Sequence, residues 1–230
     1  MNEKIIEAAA WILPLIFAIV FHEVSHGLMA RALGDPTAEE QKRLSLNPFR
    51  HVDPIGTVVV PGFLALAHLP VFGWAKPVPV NGNRLRNPRR DMMLVAAAGP
   101  GSNLIMALIA ALVLGLVLRP YAGMQQPGGV MAFAALNLFN FILINVFLAL
   151  FNLLPIPPFD GSHIMEGLLP DAAARKYGEL RKLGFLLVIV LIVILPQVFP
   201  SFDPVGFLIG KPVNWVTEHY LQLAGAIAKS

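Results

Sequence analysis

His22, Glu23 and His26 stand together as His22-Glu23-Val24-Ser25-His26. Two imidazoles four residues apart share one face of a helix, so both can bind a single zinc ion. The glutamate beside the first histidine can then reach a metal-bound water as general base. Three ionisable groups inside an apolar helix are costly in a bilayer, about 2.5–3.5 kcal/mol for one central charge. One metal ion in a cavity compensates all three. The alternative, a histidine pair packed in a helix core, leaves that cost unexplained.

A catalytic zinc needs a third protein ligand and one position open to water. Asp160, His51, Asp53, His163 and Glu166 are the candidates. Asp160 stands out for its setting, Asn152-Leu153-Leu154-Pro155-Ile156-Pro157-Pro158-Phe159-Asp160-Gly161. Its prolines forbid regular helix, so the preceding helix must end or unwind near Leu154. Asp160 then rides an extended segment able to curl back toward His22, with a turn permitted at Gly161. The competing reading is an interfacial aspartate that caps a helix starting near Ser162. His51 and Asp53 also read as shaping a loop below the site. His163 and Glu166 also read as outer partners of the ligands.

The elements that must position these groups belong to a membrane protein. The chain has 230 residues, 56% hydrophobic and 13% charged, about half the usual charged share of a soluble domain. No charged residue occurs between Arg119 and Asp160, or from Leu183 to Phe202. A hydrocarbon core needs roughly 20 apolar helical residues. Four apolar runs are read as transmembrane helices: Ala8–Leu33, Met92–Leu118, Gly129–Leu154 and Leu183–Val198. The β-branched run Thr57-Val58-Val59-Val60 and the proline-punctuated Lys76-Pro77-Val78-Pro79-Val80-Asn81 predict a small membrane-associated β-hairpin or sheet near the active site. The apolar stretch from Phe63 to Trp74 predicts a membrane-dipping loop. A short interfacial helix is expected around Trp215 to Ala228. The fold class expected is a mainly α-helical polytopic membrane protein, with residues 1–230 forming one domain.

Charge and cysteine content narrow the classes. The net charge of +3 sits in Lys and Arg clusters beside apolar runs, where it reads as topology and not as a nucleic-acid surface. Basic residues crowd the loops between the first and second and the third and fourth helices, which places those loops in the cytoplasm. With no cysteine, a thiolate metal site and disulfides are excluded.

The motifs together resemble the site-2 protease family of intramembrane metalloproteases. That family combines His-Glu-x-x-His on one membrane helix with Asn-x-x-Pro-x-x-Pro-x-Asp-Gly late in the chain. Three further segments are similar: Asn47 to Gly56, Gly73 to Asn81, and Ala98 to Asn103. The likeness runs in order from about Phe21 to Gly167. Phe159 stands where leucine is common, and the PDZ and CBS modules of larger members are not expected here. The resemblance implies one zinc per chain, held by His22, His26 and Asp160, with Glu23 as catalytic acid and base and Asn152 assisting at the reacting carbonyl. It also implies cleavage within or near transmembrane segments of membrane-anchored proteins, transcriptional regulators among them. The expected location is a prokaryotic cell membrane, with the active site toward the cytoplasm. The rival class is a non-enzymatic zinc transporter or sensor. Glu23 separates the two, because transport has no need of a non-ligand carboxylate beside the metal. Asn103 reads as an interhelical polar contact or a substrate contact, and Gly99, Pro100 and Gly101 as close-packing residues.

Overall fold

A computed structural model describes residues 2–69, 73–123 and 127–230. Three helices among the described residues are long and apolar enough to cross a membrane, at Ile5–Ala32, Pro88–Tyr121 and Gly129–Asn152. They correspond to α1 (Asn2–Ala32), α3 (Pro88–Leu118) with the tighter turn Arg119–Tyr121 after it, and α4 (Gly129–Asn152). The protein is integral to the membrane. Helix α2 occupies Pro54–Leu66. Two short helices follow α4, α5 (Asp160–Leu168) and α6 (Asp171–Glu179).

The region expected as a fourth span is broken. Helix α7, residues 184–198, has α-helical pieces at Gly184–Ile189 and Leu195–Val198 around a widened turn at Val190–Ile194. It falls short of the roughly 20 residues a span needs. Its start is docked, since a Cβ on Gly184 would lie 3.3 Å from Pro157 and Pro158. Pro196 sits in its last piece, and the chain leaves the helix at Phe199.

The expected β-hairpin is not formed, and no strand occurs among the described residues. Thr57, Val58 and Val59 belong to the first turns of α2, hydrogen-bonded in the wide i→i+5 pattern. The Asp53 carboxylate accepts the backbone N–H groups of Ile55 and Gly56, at 3.0 and 2.7 Å. Pro54, pre-set in φ, follows that cap. A helix satisfies its own backbone groups without a partner strand, which favours it for an apolar run beside lipid. Residues 74–81 form no helix or strand. The expected membrane-dipping loop from Phe63 to Trp74 includes residues 70–72, which lie outside the described residues.

Helix α3 is the central element and packs against α1, α4, α5 and the C-terminal helix α8 (Lys211–Lys229). Small residues allow this approach. Ala107, Ala110 and Ala111 of α3 meet Ile142 and Val146 of α4 in the core. A Cβ on Gly115 would stand 2.7 Å from the Ala224 carbonyl oxygen and from Ile227 Cβ. Helix α8, expected as interfacial, thus closes on the bundle through Val213, Thr217 and Ala224.

Buried asparagines stitch the three spans. Asn140 of α4 donates to the Ala10 carbonyl of α1 at 2.8 Å. Asn103 of α3 donates to Asn145 of α4 at 2.7 Å and to the Ala18 carbonyl of α1 at 3.2 Å. Such contacts average about 0.6 kcal/mol in membranes and fix helix register.

Candidate metal centre

Helix α1 presents His22 and His26 on one face, with their Nε2 atoms 3.0 Å apart. Both side chains are buried. Each Nδ1 faces an oxygen. His22 Nδ1 donates to Asn103 Oδ1 at 2.6 Å, and His26 Nδ1 donates to the Val95 carbonyl at 2.7 Å. An amide or carbonyl oxygen offers no proton, so each ring carries its proton on Nδ1. Both Nε2 lone pairs are left facing one another, an arrangement that calls for a cation between them.

Asp160 completes the set. The chain leaves helix at Leu153, passes through its prolines and re-enters helix at Asp160. Asp160 Oδ2 lies 3.2 Å from His22 Nε2 and 3.4 Å from His26 Nε2. It is a buried oxygen with no hydrogen-bond donor. The carboxylate starts α5 yet makes no cap to it. Zinc bonds of 2.0–2.1 Å at tetrahedral angles separate neighbouring ligand atoms by about 3.3 Å. The three edges here, 3.0, 3.2 and 3.4 Å, match that triangle. The donor set of two imidazoles and one carboxylate also suits zinc.

The other candidate ligands lie elsewhere in the network. His51 is buried, and its Nε2 donates to the Ser45 carbonyl at 2.7 Å. Asp53 caps α2. Glu166 pairs with Arg181. None of these three joins His22, His26 and Asp160 in the one group of metal-competent side chains found among the described residues. His163 is likewise outside it.

Glu23 is half-buried, and its Oε2 accepts the backbone N–H of Val78 at 2.8 Å. Asn152 ends α4, where its amide donates to the Leu148 carbonyl at 2.9 Å. Asn103, ambiguous in the sequence, touches a candidate ligand directly. Two participants were missed. The Val95 carbonyl carries no sequence signal, because every residue has one. Gly99 was legible only as a packing residue, whereas a Cβ there would lie 2.4 Å from His26 Nε2 and 2.7 Å from His22 Cε1.

Comparison with known proteins decides what this site belongs to. Residues 10–196 match the pattern of peptidase family M50. The chain belongs to peptidase family M50. With its His-His-Asp group, this M50 chain is a membrane metalloprotease whose cofactor is zinc. A relative with a zinc-metalloprotease name, YwhC of Bacillus subtilis, is 39% identical over 221 residues, 94% of this chain and 91% of its own. Two proteins called Rip2 bear the same kind of name. That of Mycolicibacterium smegmatis is 27% identical over 190 residues, 82% of this chain and 67% of its own. That of Mycobacterium tuberculosis H37Rv is 29% identical over 225 residues, 95% and 77% respectively. No solved structure matches the chain.

Proposed function

We propose that this M50 protease hydrolyses peptide bonds within or near the transmembrane segments of membrane-anchored proteins. The observation that carries the reading is depth. His22 and His26 lie inside the apolar span Ile5–Ala32, buried against a second span, α3. Groups at that position are suited to a substrate that itself lies in the membrane. His22, His26 and Asp160 hold the zinc, and Asn103 and Val95 orient the two rings. Zinc, when bound, supplies an acidified water and a Lewis acid for the scissile carbonyl.

Glu23 takes the proton of the attacking water and delivers it to the leaving nitrogen. Asn152 donates its amide to the carbonyl oxygen as that oxygen gains charge. To do so it rotates away from Leu148, a bond the helix end can lose cheaply. Irregular backbone such as that from Leu153 to Phe159 is tolerated at membrane depth only against protein or a water-filled cavity. A substrate helix must unwind locally to expose its bond. The basic loops support a reading in which the active site faces the cytoplasm, and the bacterial origin of the relatives named above supports a bacterial cell. Membrane-anchored transcriptional regulators fit this substrate class.

The test is Glu23→Gln, assayed on a single-pass membrane substrate in detergent with zinc measured on the same sample. Cleavage falls at least about 10²–10⁴-fold while zinc stays bound. Near-normal cleavage by zinc-loaded Glu23→Gln overturns the mechanism.

A further inference from the structure

We propose that the peptide unit joining Pro77 to Val78 positions Glu23, and that Arg43 holds that unit in place. The proposal rests on the reading of Glu23 as general base. Val78, in the segment Pro77-Val78-Pro79, meets α1 at Glu23 and Gly27. Prolines have no N–H, so Val78 supplies the one donor of the tripeptide. That donor goes to Glu23 Oε2 at 2.8 Å. Glu23 Oε1 has no hydrogen-bond partner among the described residues, which leaves one oxygen anchored and the other available for a water proton.

The opposite edge of the same amide is also held. Arg43 Nη2 donates to the Pro77 carbonyl at 3.3 Å and to the Lys76 carbonyl at 2.9 Å. A peptide group is planar and conjugated. A cation at its oxygen therefore strengthens its N–H as a donor, and a charged acceptor strengthens the bond further. Arg43, the amide and Glu23 form a row of plus, dipole and minus.

Further contacts hold the segment. Val78 is buried, and its Cγ1 would stand 2.8 Å from a Cβ on Gly27. The Lys76 N–H donates to the His51 carbonyl at 2.8 Å, and the Asn81 N–H to Asp35 at 2.6 Å. The His51 side chain is tied in turn to the Ser45 carbonyl at 2.7 Å. The His51 backbone carbonyl thus helps to hold the segment that carries the Val78 N–H.

The experiment compares Arg43→Ala, Arg43→Lys and Val78→Pro with the wild-type protein and Glu23→Gln, in the detergent assay with zinc content. A misplaced base slows the chemical step without weakening substrate binding. The expected result is kcat reduced about ten-fold or more in Arg43→Ala and Val78→Pro, with KM and zinc unchanged. Arg43→Lys, which retains a cation, recovers part of the loss. A raised KM at normal kcat overturns the proposal and makes the segment a substrate rail. Unchanged kinetics overturn it too, as does loss of zinc from Arg43→Ala, which would make Arg43 a structural strap. If Glu23→Gln itself stays active, the general-base reading fails instead, whatever the Arg43 variants do.

Discussion

Gly99 of α3 lies against His26 of α1 so closely that a Cβ on the glycine would stand 2.4 Å from the imidazole Nε2. That nitrogen is the one facing His22 and Asp160. No real Cβ sits at such a distance, and a ring pinned by the Val95 carbonyl cannot swing aside freely. Gly99→Ala is expected to insert and fold yet bind zinc about 10–100-fold more weakly. Metal titration of the purified apoprotein measures this, and wild-type affinity would refute it.

Asn103 and Asn145 sit in one hydrogen-bond chain but serve different ends. Asn103 fixes the proton of His22; Asn145 only fixes Asn103. Asn103→Ala should therefore lower zinc affinity about 10–100-fold, with Asn145→Ala having the smaller effect. Equal losses would mean that both act through helix packing alone.

Asp35 is buried at the end of α1, outside the span. Burial alone would raise its pKa. Hydrogen bonds from the Thr37 hydroxyl and from the N–H groups of Asn81 and Thr37, with the Arg84 charge, outweigh that and hold it below the ordinary carboxylate value. A depressed pKa means the unfolded chain takes up the proton at a higher pH than the folded one. The stabilisation is therefore full at neutral pH and is lost as pH falls through the lowered folded value. Asp35→Asn is expected to cost about 1–3 kcal/mol at pH 7. Its thermal midpoint should drop by a few degrees, and the gap to wild type should narrow on acidification. A gap independent of pH would assign the effect to shape.

Asn87 is exposed immediately before α3. The protein has no cysteine, so Asn87→Cys gives a single labelling site. An impermeant thiol reagent should reach it only after the cells are opened. Labelling in intact cells would invert the orientation.

The apolar runs and the imidazole pair were legible because both are local signals. Spacing along one helix determines the His22–His26 face, and the proline run at Pro155 to Pro158 announces that helix stops before Asp160. The stretch Thr57 to Val60 misled for a physical reason. Short β-branched runs fit strand or buried helix equally, and the Asp53-Pro54 cap that settles the matter is a single pair of residues. The run Leu183 to Val198 has the composition of a span, but its helix covers only residues 184–198, with a widened stretch at Val190–Ile194. Contacts such as His22 with Asn103 or Glu23 with Val78 join distant parts of the chain, and no spacing rule encodes them.

The order of the ligands along the chain carries a consequence for biogenesis. Both imidazoles emerge from the ribosome with the first helix, while Asp160 follows the third. Asn103, which sets the His22 proton, arrives in between, and its own partner Asn145 later still. A nascent chain with one or two helices inserted holds an incomplete trio and no hydrolytic centre. On the proposed ligand set, the hydrolytic centre is therefore incomplete during synthesis. On that reading, completion waits until the span Gly129–Asn152 has docked and the proline turn has brought Asp160 back to His22 and His26.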